Sequence, residues 1–263
     1  MIVTPAPPEW VLHPRSQPQR ALLLARELGA PPAIGHTLVH RGLVEVAQAR
    51  QFLSPVLDDL HDPMRLLDID RALERIQRAL AGGEPILVQG DYDVDGITST
   101  YILHTTLTEL GGKVHWRIPH RTRDGYGLTR GAVDEAKRLG CGLIITVDCG
   151  ITAVEPVAHA KALGVDTVIT DHHEPAATLP DACAVVNPLR PGCPYPFKSL
   201  AGVGVTYKLV EALLRERGRA RRAEDFLDLV ALGTIADVVP LVGENRILAT
   251  LGLERLNRTR QLG

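Results

Sequence analysis

The sequence predicts an α/β fold: a mostly parallel sheet flanked by helices, with a helical N-terminal lead-in and a helical C-terminal segment. Two observations lead there. From residue 85 short β-rich runs alternate with helical ones, the rhythm of parallel strands joined by right-handed crossovers. Before residue 85 the segments read instead as helices, with apolar positions three and four apart in "DIDRALERIQRALAGG", and beyond residue 187 helices follow again.

Taken in order, "SQPQRALLLAREL" predicts a helix capped by Ser16 and stopped at Gly29, and "DIDRALERIQRALAGG" a helix that ends at two glycines. Residues 1–84 are therefore expected to form the lead-in, and residues 85–263 a second domain. In that second part "PILVQGD", "KVHWRIP", "GLIITVDCG" and "DTVITDHH" read as strands, separated by the helical runs "ITSTYILHTTLTELGG", "GAVDEAKRLG" and "AVEPVAHAKALG". "ACAVVNP" adds a further strand, and the sheet is expected to end near residue 187. A proline-rich loop, "PLRPGCPYPFKSL", then leads to helices through "YKLVEALLRERG", "AEDFLDLVALGTIADVV" and "ENRILATLGLERLN". The basic run "RERGRARRAED" reads as a solvated helix end or loop.

Composition sets the bounds on function. At 263 residues and 45% hydrophobic, the chain can bury a proper core in one or two domains. The start, "MIVTPAPPEWVLHPR", lacks the basic and apolar regions of a secretory signal, and no apolar run approaches the roughly 18 to 20 residues that span a bilayer. A cytoplasmic protein with no membrane contact is the expectation. Cys141, Cys149, Cys183 and Cys193 form no CxxC pair, so they read as reduced thiols and not as a zinc knuckle. With a net charge of only -2, any contact with nucleic acid must come from a local patch.

Such a chain has to explain "DYDVDG", where Asp91, Asp93 and Asp95 fall at every second position. Three like charges repel unless a cation lies between them. In an open parallel sheet ligands bind beyond the carboxyl ends of the strands, and three predicted strands run into acid there. The first meets the aspartates just named, the second Asp148, the third Asp171 followed by His172 and His173. One aspartate after a strand is commonly a helix cap. Several converging with a histidine pair point to a hard or borderline divalent cation, Mn2+ or Mg2+, as one ion or two. A carboxylate-bridged pair suits hydrolysis of a phosphate ester. No GxxxxGK[ST] is present, and "AGVGVTYK" reads either as a helix N-terminus holding a phosphate oxygen, with Lys208 nearby, or as close helix packing.

In order and spacing, "DYDVDG", "VDCG", "DHH" and "ALGTIADVVPL" resemble the DHH phosphoesterase superfamily. "RDGYGL", "NP" and "YPFKSLAGVGVTYKL" resemble its RecJ branch, the single-strand-specific 5′ to 3′ DNA exonucleases of bacteria. The likeness runs from about residue 20 to the end. It implies Asp93, Asp95, Asp148, His172 and Asp237 as metal ligands, with Asp148 bridging the ions. His173 would face the substrate, Asp171 would orient its neighbours, and Asp91 could serve either role. Arg121, Asn187, Gly202, Gly204 and Lys208 are candidates for holding backbone phosphates. The implied reaction is metal-dependent hydrolysis of single-stranded DNA to mononucleotides in repair and recombination, with a single-strand-binding protein and a RecQ-type helicase as candidate partners. Hydrolysis of short oligonucleotides, cyclic dinucleotides or pyrophosphate is the rival within the superfamily, and a non-catalytic scaffold the rival outside it. Two departures stand out. Gln89 occupies a place where many members carry a histidine, and the second DHH-associated domain and OB-like domain of RecJ proteins are expected to be absent from this chain.

Overall fold

The structure, a computed structural model, describes residues 17–259. Ser16, predicted to cap the first helix, lies outside them. By contacts the chain divides into two compact units, residues 1–55 and 56–263, so the division falls upstream of the 84/85 limit read from the sequence.

The first unit holds helices α1 (Pro18–Leu28), α2 (Pro32–His40) and α3 (Val46–Leu53). Pro18 opens α1, where a missing N–H costs nothing, and Gly29 closes it in the left-handed conformation, as the sequence predicts. Ala21, Leu24, Leu38, Val39 and Ala49 form its core. Gly35 lets α2 approach closely, since a Cβ there would overlap the Ala21 carbonyl.

The second unit begins with α4 (Ile69–Gly82), whose residues Ile69, Ala72, Leu73, Ile76 and Ala79 are buried in the same core as the sheet. That packing is why α4 joins this unit and not the lead-in. The sheet strands are β1 (Ile86–Gln89), β2 (Val114–Arg117), β3 (Leu143–Val147), β4 (Asp166–Thr170) and β5 (Ala184–Val186). All pair in parallel, in the order β2-β1-β3-β4-β5. Between them run α5 (Val94–Glu109), α6 (Arg130–Arg138) and α7 (Val154–Ala162), and α8 (Gly202–Glu216), α9 (Leu227–Ala236) and α10 (Gly243–Leu256) follow.

Every residue of β1 and β3 is buried, as expected for strands covered on both faces. Alternate side chains then serve opposite layers. Ile86, Val88, Ile145, Val168 and Val186 pack with α4, α5 and α8. Leu87, Ile144, Ile169 and Val185 pack with α6 and α7. The chain leaves β1 in one direction to reach β2 and returns past it to β3, so the strand order reverses beside β1. That switch point is where an open parallel sheet leaves a crevice. No helix among the described residues is long and apolar enough to cross a membrane, and all four cysteines are free thiols.

The basic run at 215–225 forms the end of α8 and a 3-10 turn, and two of its arginines are ion-paired. Arg222 bonds Glu109 and Asp225, and Arg215 bonds Asp62 and Glu211.

Candidate metal centre

At the carboxyl edge of the sheet, three strands pass from apolar backbone into acid. β1 leads through Gly90 to Asp91, Asp93 and Asp95, β3 to Asp148, and β4 to Asp171, His172 and His173. Asp93 caps α5, its Oδ1 accepting from Gly96 N at 2.9 Å. Gly96 is small of necessity, because a Cβ there would press on the Asp91 backbone. Asp237 comes from outside the sheet, at the C-terminal end of α9, which a left-handed turn at Val238 (φ 62) terminates.

These side chains gather into three groups whose ligand atoms lie within 4.8 Å of one another: Asp91, Asp93 and Asp148; Asp95, His172 and Asp237; Asp148, His172 and His173. Asp148 and His172 each belong to two. His172 Nε2 stands 3.2 Å from Asp148 Oδ1, 3.7 Å from Asp237 Oδ2 and 3.9 Å from Asp95 Oδ2. It makes no hydrogen bond, although it is buried. Asp91 Oδ1 and Asp148 Oδ1 are likewise buried without a partner.

Orphaned polar atoms inside a protein are costly, and here the charges compound the cost. Burial, with the Asp93 and Asp171 carboxylates nearby, pushes Asp148 up to about 9. Burial and Asp148 hold Asp95 well above the usual carboxylate range. Asp91 and Asp237 are raised too, chiefly by burial. Asp237 also sits at a helix C-terminus, where the backbone dipole disfavours negative charge. A divalent cation removes both faults, since it satisfies the bare donor atoms and offsets the repulsion. The donor set is carboxylate and imidazole without thiolate, which fits Mn2+ or Mg2+.

The surrounding residues hold this arrangement in place. Asp95 accepts from the first two amides of α8, Gly202 N to Oδ2 at 2.8 Å and Val203 N to Oδ1 at 2.7 Å. Asp171, 1% exposed, is saturated: its Oδ1 accepts from His172 N, His173 N and His173 Nδ1, and its Oδ2 from Ile151 N. Burial alone would raise it, but the His173 ring and these amides outweigh that and hold it low. In return the 2.7 Å bond to Asp171 raises His173 to about 9. Gln89 directs its amide nitrogen to the Gly90 and Gly127 carbonyls, at 2.9 and 3.4 Å, while its Oε1 is buried without a partner.

Four of the residues expected to hold phosphates do other work. Lys208 is fully buried, its ammonium on the His61 carbonyl (2.7 Å) and the Glu244 carboxylate (3.1 Å). Asn187, also fully buried, braces the histidine loop by donating to His173 O and accepting from Leu189 N. The α8 N-terminus bonds Asp95, and a Cβ on Gly202 would overlap the Asp148 carboxylate; Gly204 packs on Leu200. Of the two readings of "AGVGVTYK", close packing is the one seen. Arg121 alone stays exposed at the rim, its guanidinium 4.5 Å from the Tyr92 ring centroid. The sequence reading passed over Tyr92 and Tyr126 as individuals. The glycines that flank Tyr126 in "RDGYGL" were the available signal.

Residues 85–234 match the DHH family, N-terminal domain. A single-stranded-DNA-specific exonuclease RecJ of Bacillus subtilis is 47% identical over 254 residues, covering 97% of this chain and 32% of the relative. One from Salmonella typhimurium is 42% identical over 237 residues, covering 86% of this chain and 40% of the relative. Among solved structures, RecJ of Thermus thermophilus in complex with Mn2+ superposes with a TM-score of 0.76 at 34% identity, over 92% of this chain and 34% of that one. The chain thus spans between about a third and two fifths of the length of these relatives.

Proposed function

The chain belongs to the DHH family, and on that premise we propose that it hydrolyses single-stranded DNA from the 5′ end to 5′-mononucleotides, with Mn2+ or Mg2+ as cofactor. One observation carries the reading: Asp148 belongs both to a group with Asp91 and Asp93 and to a group with His172 and His173, and its buried Oδ1 has no hydrogen bond. The description of its relatives as single-stranded-DNA-specific exonucleases supports the substrate, and the Mn2+ complex of the Thermus protein supports the metal. The chemistry lies within residues 85–263.

In this reading Asp91, Asp93 and Asp148 would hold one ion, and Asp95, His172 and Asp237 the other. When bound, such ions supply a nucleophilic water near neutral pH and offset negative charge on the phosphoryl oxygens. His173, raised chiefly by its bond to Asp171, is placed to offer a proton to a phosphoryl or leaving oxygen. Asp171 fixes that ring through Nδ1, which leaves Nε2, beside the Tyr126 hydroxyl, on the side open to substrate. Arg121, exposed beside the site, meets a backbone phosphate. A substrate that exists only where duplex is opened makes a single-strand-binding protein and a RecQ-type helicase fitting partners in repair.

The test is digestion of 5′-labelled single-stranded DNA with and without Mn2+. Metal-dependent release of labelled mononucleotide is expected, and loss of activity by at least about a hundredfold in Asp148→Ala with the circular dichroism spectrum unchanged. Activity on dinucleotides but not on long strands would turn the reading to the oligonucleotide rival. DNA binding without turnover at any metal concentration would turn it to a scaffold.

A further inference from the structure

We infer that Tyr126 is a positioning residue for His173, an inference that rests on the reading above. The Tyr126 hydroxyl lies 3.4 Å from His173 Nδ1 and 3.3 Å from Nε2, and the two rings meet edge to face with centroids 6.0 Å apart. Asp171 grips the same imidazole through Nδ1 at 2.7 Å. The ring is therefore held by two polar groups, a buried carboxylate and a half-exposed phenol. Without the second, an imidazole tied at one nitrogen can still swing about that bond.

The phenol is itself fixed. Its ring meets Tyr92 edge to face at 6.3 Å, and Tyr92 carries the Arg121 guanidinium on its face. Gly125 and Gly127, at φ 82 and 66, turn the chain sharply on either side, a conformation that side chains resist. Gly127 lies against Cys149, where a Cβ would come within 3.3 Å of the cysteine Cβ. Its carbonyl accepts from Gln89, the last residue of β1. The loop bearing Tyr126 is thus moored to the ends of β1 and β3, the strands that deliver the metal-site acids. A hydroxyl has one donor and two acceptor positions, so it can bond the imidazole and a phosphoryl oxygen together. Burial and the neighbouring Asp171, Asp91 and Asp148 carboxylates raise this phenol, so it keeps its proton.

The test is Tyr126→Phe, which keeps the ring and removes the hydroxyl, measured beside Tyr126→Leu and the unaltered chain with Mn2+. Substrates are single-stranded DNA and a small chromogenic phosphodiester without a second base. Expected for Tyr126→Phe is a fall in kcat of about tenfold on both substrates with KM within about twofold, the size of effect that orienting partners have. Imidazole nitrogen resonances of His173, read by NMR without substrate and with diamagnetic Mg2+ in place of Mn2+, should shift in the same variant. A rise in KM on DNA alone, with kcat unchanged, would make Tyr126 a base platform and overturn the inference. Unchanged His173 resonances would overturn it as well, whether or not the chain is active. An inactive unaltered chain defeats the exonuclease reading, and the NMR result then decides the Tyr126 contact by itself.

Discussion

Asp148 occupies the left-handed region at φ 59, which aspartate tolerates better than most residues. That turn throws its carboxylate back over the sheet edge toward His172 and away from the strand it ends. The conformation needs an empty space opposite, and Gly202 provides it, since any Cβ there would overlap the Asp148 carboxyl group. Gly202 also gives its N–H to Asp95, so one glycine sets the distance between two acids. Gly202→Ala should therefore damage stability and the metal site together. Crowding a well-packed site by one methyl group costs about 1 to 3 kcal/mol, which urea denaturation would measure. The displaced carboxylate should weaken Mn2+ binding by about tenfold in calorimetric titration. An alanine variant that binds Mn2+ as tightly as the parent would show that Asp148 reaches its neighbours by another path.

Helix α8 shows how an element's geometry separates residues that look like neighbours in the sequence. Gly202 and Lys208 read there either as parts of a phosphate-holding helix start or as close helix packing. Six residues of helix advance about 9 Å and turn by about 600°, so Lys208 lies deeper along the axis and on a different face from Gly202. It points into a buried polar cluster with Glu244, which also accepts from Tyr195 Oη at 2.7 Å and His61 N at 2.9 Å. The same reading found all five strands because β-rich runs bounded by turns are local signals. The partner of a lysine is set by packing between distant elements, and no local pattern reveals it. Replacing Lys208 with Met leaves Glu244 buried with its countercharge gone, a change that typically costs about 3 to 5 kcal/mol. Thermal unfolding of Lys208→Met should show a clear fall in Tm, while KM for single-stranded DNA at a permissive temperature stays near the parent value. A raised KM with unchanged stability would return Lys208 to the substrate.

Across the whole molecule, the acids that follow strands were legible because a parallel sheet sends every carboxyl end to one edge. Asp237 was not legible that way. It ends a helix far along the chain, and only its resemblance to a family motif singled it out. Tyr126 was missed because it belongs to an irregular loop with no periodicity to read. The assembled site then makes stability depend on pH and metal together. Burial and neighbouring carboxylates push Asp148 up to about 9 in the folded chain, against about 3.9 for a free aspartate, so between those limits the native state keeps a proton that the unfolded chain has released. Stability must fall as pH rises through that window, because the native state binds more protons there. His173 adds to the fall between 6.5 and about 9, its raised folded value meaning that its contribution fades as it deprotonates. Raised Asp91, Asp95 and Asp237 act in the same direction. Asp171, held low, contributes stability that is lost only in acid and is level across this range. A divalent ion binds the deprotonated ligands and only the folded state presents them together, so its stabilisation should grow as the protons leave. Melting curves at pH 6.5 and pH 9, with and without saturating Mn2+, should show a metal-induced rise in Tm that is larger at pH 9. Asp148→Asn should lose most of that difference. An equal or smaller rise at pH 9 would mean that the carboxylates do not hold the ion through their charged forms.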